Sequence, residues 1–333
     1  MSRIWYLARR TLFAFVSIWV VITIAFAFVT LTGAPGEAAV RYAAALELVG
    51  TGADGDVIDE HIDEAAAEYR EARDLDEPVL DRYVTWMGNI VTLQWGESYQ
   101  YGVPVTELIQ DRLEITAMYA VPAMGIAGIG GVSLGTYAAL SRNRIAARAL
   151  TGSAYALYGL PNFWIAAVIL LSVPLQYRPY VMSYNLDASP VQLENLVLLL
   201  VAGSVLGIGL LAGQARYVRS EVLDTEGEAF VRTLRSMGIA RHRVGVHVLR
   251  VAAIPLTTLF FSTLLGILVL NVIVIEYVFE IPGFGMLTYQ AYLDRDLPLI
   301  VATTMVIAFV GIAGTLLQDV AYEWLDPRVI VEE

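Results

Sequence analysis

The chain has 333 residues, of which 57% are hydrophobic and 16% charged, with a formal net charge of −12. A mean hydropathy of +0.61 lies far from that of ordinary soluble domains and indicates an integral membrane protein. All 21 basic residues are arginine, which excludes a Walker A lysine and a Schiff-base lysine. Cysteine is also absent, so disulfides, thiol catalysis and cysteine-ligated metals are excluded.

Six apolar runs are long enough to cross a bilayer, which takes roughly 20 residues. They cover about residues 11–31, 115–140, 152–174, 194–214, 251–275 and 298–320. We therefore expect an all-α membrane protein with six transmembrane helices. Pro161 and Pro255 predict a kink or shift in the third and fifth of them.

Charge is distributed unevenly along the chain. Residues 33–115 hold 18 of the 33 acidic residues, whereas 14 of the 21 arginines lie in the first ten residues, the 142–148 turn, the 216–250 loop and the tail. Because basic segments stay on the cytoplasmic side, we expect a multi-pass cell-membrane protein with both termini in the cytoplasm. The acidic outer segment and the missing lysine favour a halophilic source over a merely GC-rich genome.

These patterns divide the chain into four segments: residues 1–32 with the first span, a mostly helical extracellular acidic insertion at 33–113, a core at 114–320, and a cytoplasmic tail at 321–333. Within the insertion, apolar spacing predicts two helices, over 56–74 and from Pro78 to Ile90, and an amphipathic turn at 105–113. The acidic surface of the insertion is either a docking face for an external protein or simply a hydrated one.

A short polar helix is predicted between the fourth and fifth spans. Thr225 and Glu228 have the spacing of a capping box, and Gly238 is a typical helix-ending glycine, so about three turns are expected. Between Glu228 and Gly238, Phe230, Leu234 and Met237 form an apolar ridge. Arg232 and Arg235 lie on the flanks of this ridge. Such a ridge suits a groove on a partner protein, although the arginines could instead face lipid phosphates.

Polar residues within the spans are few. Asn271 lies inside the fifth span and Glu276 near its outer end, and each is either functional or bonded to neighbouring structure. Because helix breaks in a membrane often border a pathway, Pro161 and Asn162 at the proline break are further candidates for a translocation path, together with Asn271 and Glu276. Glycines in the second and fourth spans indicate close helix packing, either within the chain or at a dimer seam. The three histidines form no plausible catalytic constellation, so an enzyme is not expected.

The loop 219–255 resembles the cytoplasmic EAA loop of importer-type ABC permeases, in the form found in the dipeptide/oligopeptide family. It reads Glu228-Ala-Phe-Val-Arg-Thr-Leu-Arg-Ser-Met-Gly238 at its centre. Other segments similar to that family are Leu7-Ala-Arg-Arg-Thr-Leu12, Leu75-Asp-Glu-Pro78, Gln94-Trp-Gly-Glu-Ser98, Leu160-Pro-Asn-Phe-Trp164, residues 274–285, Arg295-Asp296 and Asp326-Pro327. The chain departs from many relatives at Leu270-Asn271, where they have two glycines.

The resemblance implies a type I ABC importer permease, the B-type member of a permease pair. It assigns ATPase coupling to Glu228, Ala229, Phe230, Arg232, Thr233, Leu234, Arg235, Met237 and Gly238. The implied partners are a second, C-type permease, two ABC ATPase subunits, an extracellular solute-binding protein and membrane lipid, with no nucleic acid. No cofactor is expected on this chain, since ATP and Mg²⁺ belong to the ATPase subunits.

The cargo is left open by the sequence. Peptides are the commonest cargo of the family, while nickel chelates, glutathione and sugars are imported by similar permeases. A different class, an ion-coupled secondary transporter, would normally carry ionisable groups near mid-membrane, which are scarce here.

Overall fold

A computed structural model describes residues 3–31, 35–49, 54–71 and 75–325. Within these residues the chain is helical, apart from loops and one isolated bridge between Glu97 and Pro104. The helices are α1 Arg3–Leu31, α2 Pro35–Val49, α3 Gly55–Glu71, α4 Val79–Val91, α5 Val105–Leu140, α6 Arg144–Gly159, α7 Asn162–Ser172, α8 Pro179–Met182, α9 Leu193–Glu226, α10 Ala229–Ser236, α11 Arg241–Phe279, α12 Phe284–Asp294 and α13 Leu297–Leu325.

The long apolar helices confirm the all-α membrane class. Among the described residues, α1, α5, α9 and α13 are long and apolar enough to cross a membrane. Two bent pairs, α6 with α7 and the end of α11 with α12, raise the number to six if each pair counts as one span. The chain after α11 therefore continues in a helix, α12, set at 87° to the end of α11.

The third predicted span, 152–174, is not one straight helix. The chain is extended at Leu160 and Pro161, and α6 and α7 meet there at 94°. Pro161 lacks an N–H group and is the N-cap of α7, where its fixed φ is tolerated, so the break falls where the proline predicted it. Pro255, in contrast, lies inside α11, which continues to Phe279.

The segment after α1 contains a helix that apolar spacing did not predict. α2 is rich in alanine and begins with proline, so helix propensity rather than periodicity accounts for it. It packs against α3 through Glu37 and Arg70, whose Nη2 and Nε donate to the two carboxylate oxygens at 2.6 and 3.0 Å. These bonds, with a further one from Arg41, hold the pKa of the Glu37 carboxyl below its ordinary value.

The remaining boundaries differ in detail from the predicted ones. α4 matches the helix predicted from Pro78 and buries Ile90 against α1 and α13. α5 runs unbroken from Val105, so the predicted turn at 105–113 is its first part and the division at 113 falls inside a helix. The predicted boundary at 32–33 lies outside the described residues. The predicted boundary at 320–321 falls inside α13. Asp326-Pro327, most of the predicted tail and residues 72–74 also lie outside the described residues.

Glycines bring α9 close to helices on both sides. A Cβ at Gly135 of α5 would lie 2.5 Å from the carbonyl oxygen of Ala215, and one at Gly131 would lie 2.6 Å from Gln214 Cβ. On another face of α9, a Cβ at Gly209 would lie 2.6 Å from the side-chain oxygen of Asn162. These glycines therefore serve packing within the chain, the first of the two interpretations.

Candidate functional site

The polar helix predicted between the fourth and fifth spans is α10, with two turns instead of three. Thr225 is buried inside the last turn of α9, so the predicted capping box does not form. α9 extends as far as Glu226, so α10 begins only after Glu228. Glu228 is the N-cap of α10, and its side chain makes no cap bond. Gly238 has φ +74° just after α10, as expected of a helix-ending glycine.

One face of α10 anchors it to the helices on either side. Val231 is completely buried in an apolar cluster with residues of α9 and α11: Val218, Val222, Val244, Val248, Ala252 and Leu256. Leu234 is half-buried against the same cluster, so it faces inward and does not belong to an outer ridge. Val231 and Leu234, three residues apart, have the spacing of one helix face, but Phe230 and Leu234, four apart, have it as well, so spacing alone does not identify the inner face.

The outer face of α10 keeps an apolar and basic character. Phe230 and Met237 are 36% and 70% exposed, and Ala229, Arg232 and Thr233 are exposed as well. Arg235 pairs with Glu226 at the end of α9, and Arg232 Nη2 donates to the Gly227 carbonyl oxygen at 3.3 Å. α10 is thus fixed to α9 and α11 by packing and to the end of α9 also by the Arg235 pair, while an apolar surface remains uncovered.

Two of the predicted path residues lie in contact. Asn162 Nδ2 donates to Asn271 Oδ1 at 2.9 Å, which joins the first residue of α7 to α11. Both side chains are half-buried, and the Asn162 side chain packs against Gly209 of α9. The structure therefore brings Pro161, Asn162 and Asn271 together where α7, α9 and α11 meet.

Glu276 lies at the centre of a buried polar cluster. Its carboxyl accepts hydrogen bonds from Thr116 Oγ1 at 2.5 Å, Tyr119 Oη at 2.9 Å and the Met286 amide at 2.8 Å. Thr116 Oγ1 in turn accepts from the Phe284 amide at 2.8 Å. These bonds connect α5, α11 and α12. They are the contacts expected if Glu276 is bonded to neighbouring structure, the second of the two interpretations.

Sequence reasoning missed a second buried carboxyl. Asp296, 1% exposed, accepts from Ser98 Oγ and from the amides of Gln100 at 3.1 Å and Leu299 at 3.3 Å. It thus caps α13 and holds the loop before α5, although 198 positions separate it from Ser98. Both segments were singled out by resemblance, but no local pattern indicates that they touch.

A family model supplies the identification. The model described as binding-protein-dependent transport system inner membrane component matches residues 131–331, which include α10, Asn162, Asn271, Glu276 and Asp296. The chain belongs to this family. It is a multi-pass permease subunit of an ABC importer and not an enzyme.

Several curated relatives align with most of the permease. The oligopeptide transport system permease protein AppB of Bacillus subtilis is 29% identical over 97% of this chain and 98% of its own length. A protein of Brucella abortus, provisionally named a peptide transport system permease, is 33% identical over 77% of this chain and 81% of its own length. The metal-staphylopine import system permease protein CntB of Staphylococcus aureus is 28% identical over 80% and 83%, respectively.

Proposed function

We propose that this permease forms half of the translocation path of an ATP-driven importer of dipeptides or oligopeptides. The observation that supports this cargo is the alignment with AppB, whose name specifies oligopeptides and which matches the chain almost end to end. A metal chelate is the second candidate, because CntB aligns over four-fifths of the chain.

The proposed assembly contains a C-type permease, two ABC ATPase subunits that use ATP and Mg²⁺, and an extracellular solute-binding protein. The arginine-rich segments at 142–148 and 216–250 support an orientation with both termini and α10 in the cytoplasm and the acidic helices α2 and α3 outside. The predicted segments 1–32, 33–113 and 114–320 keep these locations in the proposal.

α10 is the proposed contact with an ATPase subunit. Its exposed Phe230 and Met237 offer apolar surface to a cleft, whereas Val231 is locked between α9 and α11. A displacement of α10 would therefore move both helices, since close-packed interiors transmit strain. Arg232 and Arg235 lie at the edge of this surface and supply charge for carboxylates on the partner.

The coupling proposal is tested by exchanging the exposed apolar residues of α10 for serine. We expect Phe230→Ser with Met237→Ser to abolish solute-stimulated ATP hydrolysis and to weaken co-purification of the ATPase. Ile145→Ser is the matched control, because Ile145 is 82% exposed near the same end of the bundle but lies on α6. Normal stimulation in the double variant, with the complex intact, would disprove the assignment of α10.

The cargo is tested by transport in proteoliposomes that contain the complete complex. We expect uptake of labelled di-, tetra- or hexapeptides that requires ATP and the solute-binding protein. Uptake of a metal chelate without peptide uptake would favour the second candidate. Uptake driven by an ion gradient without any ATPase subunit would refute the importer mechanism itself.

The contact between Asn162 and Asn271 is the proposed polar position along the path. Amide groups at a helix break can exchange bonds with each other for bonds to a passing peptide backbone. We expect Asn271→Leu to change the uptake rate while the complex still assembles. An unchanged rate for every peptide length would place the path elsewhere. Glu276 is kept as a path candidate only through its position on α11.

A further inference from the structure

A small cavity of about 120 Å³ lies between α5, α6 and α9, near their ends that join the arginine-rich loops. Most of its lining is apolar, and it includes two charged residues, Arg216 and Arg219, with no acidic side chain beside them. The two arginines are one turn apart on α9 and line the cavity with the aliphatic parts of their side chains, so their charged groups lie beyond its apolar wall.

The Arg216 guanidinium is held in place by aromatic rings. Its Cζ lies 4.0 Å from the ring centroid of Tyr158 and 5.4 Å from that of Tyr155, both on α6. Stacking engages the flat face of the guanidinium and leaves the N–H groups at its edge able to donate in the plane. Arg216 is therefore pre-oriented for an acceptor that offers two oxygens, such as a phosphate or a carboxylate.

Arg219 contributes a donor that needs an acceptor. Its Nε is buried and makes no hydrogen bond to any residue that the structure describes. Buried donors in folded proteins are nearly always paired, so a small shift of the Arg219 side chain would let Nε reach an acceptor outside the chain.

The depth of the two arginines fits the headgroup layer of a membrane. The apolar run of α9 ends at about Gly213, and Arg216 and Arg219 follow three and six residues later. At 1.5 Å per residue they lie about 4.5 and 9 Å beyond the apolar run, where phosphate groups are found. The cavity is slightly smaller than one that holds benzene, about 150 Å³, so it accommodates a few carbons of an acyl chain.

We infer that Arg216 and Arg219 bind the phosphate of an anionic phospholipid, with part of an acyl chain in the cavity between α5, α6 and α9. In the proposed orientation this lipid belongs to the inner leaflet. The bound lipid would fasten α6, the helix before the 94° break, to α9. The site does not depend on the cargo or on the ATPase, because it lies within one chain.

The test measures lipid retention by the full-length permease, purified with its accompanying subunits in mild detergent. The permease is titrated with phosphatidylglycerol or with phosphatidylcholine, and native mass spectrometry measures the number of lipid molecules bound per chain. Inorganic phosphate is added as a competitor. We expect one tightly held phosphatidylglycerol per chain, and roughly 30-fold weaker binding in Arg216→Gln with Arg219→Gln, from about 1 kcal/mol for each arginine. Arg142→Gln is the matched control, since Arg142 is exposed near the same end of the bundle and does not line the cavity.

Equal retention by the wild type and the double variant, or equal binding of the two lipids, would overturn the inference. Displacement of the lipid by millimolar phosphate would assign the arginines to a free anion instead. If the glutamine variant cannot be purified, Arg216→Lys with Arg219→Lys decides. The lysine variant keeps the charges but not the planar fork, so it should bind phosphatidylglycerol more weakly and still prefer it; loss of the preference would refute the site.

Discussion

Replacing Glu276 by alanine should destabilise the permease far more than replacing it by glutamine. Alanine leaves three buried donors without their acceptor: the hydroxyls of Thr116 and Tyr119 and the amide of Met286. Each unpaired donor costs about 1–3 kcal/mol, so the expected loss is about 3–6 kcal/mol after partial rearrangement of the two hydroxyls.

Glutamine can bond to two of the three partners. Its oxygen can accept from the Met286 amide while its NH₂ group donates to Tyr119 Oη, because a hydroxyl accepts as well as donates. The Thr116 hydroxyl loses its acceptor in this variant, so the expected loss is about 1–2 kcal/mol.

Equilibrium unfolding in mixed micelles of a mild detergent and dodecyl sulfate measures both variants on one scale. The wild type, Glu276→Gln and Glu276→Ala should unfold in that order of decreasing stability, with the larger step at alanine. Equal losses for the two variants would show that the three donors do not depend on the carboxyl, and the structural account of Glu276 would be refuted.

Three other predictions follow from single contacts. Gly238→Val should loosen α10 and raise its hydrogen exchange, because φ +74° costs a side chain about 1–2 kcal/mol. Gly135→Leu should lower the melting temperature of the permease sharply, since its Cβ would lie 2.5 Å from the Ala215 carbonyl oxygen, a backbone atom that cannot rotate away. The bond from Arg70 lowers the pKa of Glu37, so the contribution of this pair is complete above the ordinary carboxyl pKa and is lost as the pH falls through the lowered one. The protection factors of the α2 amides against hydrogen exchange should fall in that acidic range. Glu37→Gln should remove this pH dependence of the protection factors.

Features that depend on one residue or on one apolar run were predictable from the sequence. Pro161 located the break between α6 and α7, because proline cannot continue the hydrogen bonds of a helix. Gly238 located the end of α10 for a similarly local reason. The apolar runs gave the membrane helices, since their length is set by the thickness of a bilayer.

Features that depend on competition or on distant partners were not predictable. The pattern at Thr225 and Glu228 is a valid helix start, but packing carries α9 through Thr225 and buries it. Val231 could not be ranked above Phe230 without knowing where α9 and α11 lie. The contact of Ser98 with Asp296 joins the segment before α5 to the start of α13, and hydrogen-bond partners 198 positions apart leave no trace in a single sequence.

The break between α6 and α7 also determines what must surround it. α7 has 11 residues and is therefore about 17 Å long, much less than the roughly 30 Å hydrocarbon layer. Where α6 ends, up to four carbonyl oxygens lose their partners within the helix. Hydrocarbon tails offer no hydrogen-bond donors, so this level of the permease must be bordered by water or by another protein chain. The break between α6 and α7 is thus a place where the permease cannot face hydrocarbon directly.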